Sequence, residues 1–163
     1  MPDFCASRLF LDKVANHEEK AYNLSIYKED AVTDNIHTEL NFNPFEGGKG
    51  LTDKGYEIDI MKEGESARPY ELLFMALGGC LYSTFEEIFK QKRLNCDSVV
   101  VDISGDKREE VPMFLKECNI KFTVKGADKQ IGFEKSLTLA CKYCSIYQTL
   151  SKVAVMSPEI VFV

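Results

Sequence analysis

The sequence predicts an α+β fold, and three observations carry the prediction. The stretch Arg68 to Lys92 starts with Pro69 and has no charged residue from Leu72 to Tyr82, as a long, largely buried helix would. Short segments on either side alternate apolar and polar residues with the period of strands, clearest at Cys118, Ile120, Phe122 and Val124. Phe133, Leu137, Ala140, Cys141 and Cys144 then form one stripe at helical spacing. Strands, a long helix, two strands, two helices and a strand imply helices packed on a mostly antiparallel sheet.

Residues 1–33 read as an extension and 34–163 as the domain. In the extension Phe10, Leu11, Val14 and Ala21 recur at roughly helical spacing, and Tyr22, Leu24 and Ile26 alternate like a strand. Beyond Ile36, Leu40 and Phe42 alternate with polar residues until Pro44, and Glu46 to Gly50 form a turn-forming cluster. Tyr56, Ile58 and Ile60 alternate with Glu57 and Asp59, the pattern of a half-buried strand.

In the long helix, Pro69 suits the first position and Glu71 adds a favourable charge to the first turn. Its charge-free run falls short of the ~20 residues of a membrane span. From Ser83 the pattern turns amphipathic, with Phe85, Ile88 and Phe89 opposite Glu86, Glu87 and Lys90. Gly78 and Gly79 each cost a helix interior about 1 kcal/mol relative to alanine, so close approach of another segment is expected there.

Val99, Val101 and Ile103 mark the next strand, and the charged loop Gly105 to Pro112 leads to the strand that Gly126 ends. Ser145 and Gln148 have the spacing of a capping box for a short helix through Val153, and Ile160 to Val163 closes the chain as a strand after Pro158.

The 163 residues and 18.5 kDa suit one domain with a short appendage. A net charge of −6 and a pI near 5.0 argue against a nucleic-acid surface. MPDFCASRLF shows no basic region followed by an apolar run, so a cytoplasmic location with reduced thiols is expected.

The six cysteines sort by position. Cys5 and Cys96 read as incidental thiols, and Cys118 and Cys141 as packing residues on apolar faces. Cys144 directly precedes the proposed cap Ser145, where the helix dipole favours a thiolate. Cys80 lies about three turns into its helix, beyond the dipole's reach, and burial alone would raise its pKa. Local physics therefore reads it as a core cysteine; to react it would need a cation, and its own helix offers none before Lys90.

Cys141 to Cys144 has C-x-x-C spacing, but its first cysteine lies inside a helical stripe, unlike a thioredoxin-type site. No metal site is expected: there is no second C-x-x-C, and His17 and His37 stand apart. Glu86-Glu87 and Glu109-Glu110 read as solvated surface, and Gly47 to Gly50 lacks P-loop spacing.

Three motifs in order carry a family resemblance: Pro69-Tyr70-Glu71-Leu72-Leu73, Ala76-Leu77-Gly78-Gly79-Cys80 and Lys142-Tyr143-Cys144-Ser145-Ile146. Together they resemble the OsmC/Ohr family over roughly His37 to the C-terminus. The loop Arg108 to Pro112 and the strand Asn119 to Gly126 resemble its YhfA-type branch. The resemblance implies antiparallel sheets wrapped around a long central helix in an intertwined homodimer. It also implies a thiol-dependent hydroperoxide reductase serving oxidative stress defence, with neither haem nor metal.

Cys80 matches the family position that attacks the peroxide, and Cys144 the position that resolves the sulfenic acid as a disulfide. The substrate class implied is an organic hydroperoxide, and the reductant an external dithiol. Gly78 and Gly79 would let the Cys144 segment come close.

This sequence departs from the family at two points. Active members place a glutamate directly after the helix-starting proline, where this chain has Tyr70 followed by Glu71. The family's arginine comes from the N-terminal strands, and between Arg8 and Arg68 this chain has none. Glu71 and Arg68 are the candidate supporting residues, with Lys49 and Lys54 as other sources of a cation. A non-catalytic dimer that binds a small ligand or senses redox state is the alternative reading.

Overall fold

The computed structural model describes residues 36–163 apart from 45, 63 and 65; the extension expected over 1–33 lies outside the described residues. The chain divides into two compact units that meet at Pro69 and Tyr70.

The described part of the first unit is a three-stranded antiparallel sheet of β1 (Thr38–Asn43), β2 (Gly47–Thr52) and β3 (Glu57–Ile60), with β2 in the centre. The glycine cluster expected to turn is therefore mostly strand. Gly47 does take a left-handed φ of 84°, but from Gly48 the backbone pairs with Phe42 on one side and Ile60 on the other. A side chain at Gly48 would overlap the Phe42 ring and Asn41 O, so the strand accepts only glycine there. Cross-strand pairing overrides the local turn preference.

The second unit holds the core. Helix α1 (Pro69–Gln91) is followed by β4 (Ser98–Lys107), β5 (Leu115–Lys125), α2 (Gln130–Tyr143), α3 (Ser145–Leu150) and β6 (Val155–Phe162). β4 and β5 form an antiparallel pair, and β6 joins β5 in parallel. A parallel neighbour needs a crossover connection, which α2 and α3 supply.

Leu115, Cys118, Ile120, Phe122 and Val124 of β5 are buried against Leu77, Leu81, Phe85, Ile88 and Phe89 of α1 and Phe133, Leu137 and Ala140 of α2. Phe85 lies at the centre, its ring 5.2 Å from Phe89, 5.1 Å from Phe122 and 6.1 Å from Phe133. Cys118 and Ala140 are fully buried, as the sequence patterns expect.

Three boundaries differ from expectation. β4 runs on to Lys107, because Gly105, Asp106 and Lys107 of the expected loop pair with β5. β6 begins before Pro158 and runs through it; as an edge strand it can turn the imide nitrogen away from the ladder. α3 stops at Leu150, short of Val153. α1 as a whole is long and apolar enough to cross a membrane by length and composition. The burial of Leu77, Leu81, Phe85, Ile88 and Phe89 within the unit marks it as a core helix.

Candidate functional site

Cys80 and Cys144 stand 64 positions apart in the chain, and the second unit brings them together. Cys80 lies in the middle of α1, half-buried at the edge of the helix's core face. Cys144 sits at the break between α2 and α3, closing one helix as its C-cap and opening the next as its N-cap. The Cys144 thiol donates to Cys80 Sγ at 3.1 Å. A shortening of roughly 1 Å would complete a disulfide bond.

The two thiols differ in environment. Burial raises the Cys80 pKa. The Ile146 backbone N–H, the Cys144 S–H, and the hydroxyl and backbone N–H of Ser145 all favour the thiolate, and together they hold Cys80 below the ordinary thiol value. Cys144 is 1% exposed. Burial pushes it up to about 11, against the Tyr147 N–H that donates to its sulfur at 3.4 Å, and the neighbouring Cys80 adds to the rise. The dipole argument from sequence assigned the thiolate tendency to Cys144; the folded environment gives it to Cys80, because desolvation at Cys144 outweighs its place at a helix start. The pair thus combines a sulfur that ionises more readily than an ordinary thiol with a neighbour that stays protonated at neutral pH.

Glu71, the expected contributor within the same unit, lies elsewhere on α1. Glu71 lines an open groove of about 540 Å³ with Phe74, Met75, Gly78, Tyr82 and Ile103. It precedes Cys80 by nine residues, about 13 Å along the helix axis and half a turn round it, so it is not brought to the thiols. Gly78 approaches Ile103 of β4, whose Cδ1 would lie 3.3 Å from an added Cβ, and around Gly79 there is open space among the described residues. The glycine pair therefore does not serve the Cys144 segment. Met75, Gly78 and Tyr82 point about 140–160° away from Cys80, so the apolar groove and the thiol pair occupy different sides of α1.

Arg68 belongs to the first unit, immediately before α1. Lys49 is held by Glu57 at 2.8 Å across the first sheet. Tyr70, which stands where the family has glutamate, carries the Lys107 ammonium 3.8 Å above its ring. Among the described residues, the groups that lower the Cys80 pKa are all neutral.

The sequence reading also placed a cap at Ser145. The cap is Cys144, whose sulfur accepts from Tyr147 N–H, while Gln148 Nε2 donates to Cys141 O at 2.7 Å. Ser145 Oγ instead lies 3.9 Å from Cys80 Sγ. No periodicity could have revealed this contact, because it joins two helices that are distant in sequence.

Comparison with known proteins decides the family. The family described as OsmC-like protein matches residues 62–157, which include both helices that carry the thiols. The chain belongs to the OsmC-like family. Protein YhfA of Escherichia coli K12 is 30% identical over 113 residues, spanning 64% of this chain and 84% of the relative. An OsmC-like protein from Mycoplasma pneumoniae aligns with a TM-score of 0.71 at 14% identity, over 78% of this chain and 96% of that one. The organic hydroperoxide resistance protein OhrB of Bacillus subtilis aligns at 0.58 and 14% identity, over 77% and 97%.

Selective alkylation follows from the electrostatics of this OsmC-like pair. Cys80 ionises below the ordinary thiol value, so its reaction rate with iodoacetamide should rise with pH and level off earlier than that of an unperturbed thiol. Cys144, pushed up to about 11, and Cys141, pushed up by burial to about 12, should stay largely unmodified at mildly alkaline pH. Peptide mass spectrometry across a pH series checks this; modification of Cys144 ahead of Cys80 would reverse the assignment.

Proposed function

We propose that this OsmC-like chain is a cysteine-based hydroperoxide reductase, with Cys80 as the attacking thiol and Cys144 as the resolving thiol. The observation that carries the reading is the 3.1 Å approach of a pKa-lowered, half-buried sulfur to a buried, protonated one. The Cys80 thiolate attacks the terminal oxygen of ROOH. The O–O bond breaks, the sulfur is oxidised to sulfenic acid, and the alkoxide takes up a proton to leave as ROH. Cys144 then attacks the sulfenic sulfur, forming the Cys80–Cys144 disulfide and releasing water. An external dithiol reduces that disulfide by exchange, becoming a disulfide itself. The names of relatives such as the Bacillus subtilis protein support organic hydroperoxides as substrates, and a cytoplasmic setting supplies dithiols. A coupled assay with an organic hydroperoxide and a dithiol tests the reading; absence of sustained turnover by the native chain would refute it.

The reading includes an intertwined homodimer. In its support, the three-stranded sheet of the first unit leaves Leu40, Phe42, Tyr56 and Ile58 exposed, more apolar surface than so small a sheet can hide. Sedimentation at micromolar concentration should give about twice the 18.5 kDa chain mass; a monomer would remove this part of the proposal.

One observation favours a redox sensor instead. Among the described residues, the groups that favour the Cys80 thiolate are neutral, which suits slow, stoichiometric oxidation better than rapid turnover. Consumption of a single equivalent of peroxide by the native chain, with dithiol in excess, would select that reading.

A further inference from the structure

Ser145 stands where sequence patterning places a helix cap, yet its hydroxyl does no capping. The first turn of α3 is served by the Cys144 sulfur, which accepts from Tyr147 N–H. The Ser145 side chain is exposed, and its Oγ lies 3.9 Å from Cys80 Sγ. A thiolate has no proton to give, so with Cys80 ionised this contact has one polarity: the hydroxyl donates. Cys144 approaches the same sulfur from the buried side at 3.1 Å. Cys80 thus has one buried donor and one exposed donor within reach.

We propose that Ser145 is a catalytic residue of the thiol pair, its hydroxyl donating to the Cys80 thiolate and serving in place of a charged group to keep that sulfur ionised. The proposal rests on the reading of Cys80 as the nucleophile and adds a residue to its machinery. The shift of Cys80 below the ordinary thiol value, to which the Ser145 hydroxyl contributes after the Ile146 N–H and the Cys144 S–H, agrees with it. The hydroxyl is also the one of these donors that a substitution can delete while leaving the resolving thiol and every backbone N–H in place.

The experiment compares the native chain with S145A and S145T, following alkylation of the Cys80 peptide by iodoacetamide across a pH series. A hydrogen bond to a charged group, discounted for exposure, predicts that S145A shifts the profile to higher pH. On its rising limb the S145A rate should fall by about 3- to 10-fold. S145T keeps the hydroxyl and should retain the native profile. Because the residue is exposed, both variants should melt with the native chain.

An S145A profile that superimposes on the native one overturns the proposal, as does an equal shift in both variants. The measurement contains no peroxide, which separates it from the proposed function. A shifted S145A profile without hydroperoxide turnover strikes only the reductase reading. Turnover with an unshifted profile strikes only Ser145.

Discussion

Replacing Cys80 with serine should abolish hydroperoxide turnover, lowering the steady-state rate by on the order of 10³-fold or more. A serine hydroxyl at this site is a far weaker nucleophile than a thiolate at neutral pH, and the donors that favour a negative sulfur cannot make up the difference. The substitution is nearly isosteric and half-buried, and the Thr84 hydroxyl that donates to the Cys80 backbone carbonyl at 3.0 Å keeps its partner. C80S should therefore melt close to the native chain, so that lost activity reads as lost chemistry. A C80S chain that still turns over organic hydroperoxide in the coupled assay would remove Cys80 from the mechanism.

Cys144→Ser should give a different failure. The first step needs only the Cys80 thiolate, so each chain should consume a single equivalent of peroxide and accumulate sulfenic acid, which dimedone traps and mass spectrometry detects. Resolution then falls to the external dithiol. A thiol held 3.1 Å away acts at an effective concentration far above that of a millimolar reagent, so steady-state turnover should drop by about 10²-fold. C144S puts an O–H where the S–H donates to Cys80, so a donor to that sulfur is retained and the first step should change little. Unchanged steady-state kinetics would mean that Cys144 is not the resolving thiol.

The groove beside Glu71, Met75 and Tyr82 bears on both experiments. Lying on another side of α1, it does not enclose the thiols, so its apolar lining is no argument for the class of hydroperoxide reduced. Comparison of alkyl and hydrogen peroxide in the same assay carries that question.

The apolar alternation of β5, the charge-free run of α1 and the helical stripe from Phe133 to Ala140 were legible because each element's burial follows directly from its own period. The glycines of β2 were not. Their local preference is to turn, and the pairing with Phe42 and Ile60 that makes them a strand is a contact between segments. The two glycines before Cys80 show the same limit: their cost to the helix is plain in the sequence, but the neighbour that comes close to Gly78 is Ile103 and not the Cys144 segment.

By itself, the sequence determined the α+β order of elements, the core faces of the helices and of β5, and, through three motifs in register with the OsmC-like family, the two cysteines worth pairing. Only the tertiary structure decided which of them ionises, because desolvation and hydrogen bonding depend on groups brought in from elsewhere in the chain. It bared Cys80 to the neutral donors of α3, buried Cys144, moved the cap from Ser145 to Cys144 and placed Glu71 on the far side of the helix. Period and composition report how a residue relates to its own segment; reactivity was settled by what the fold set against it.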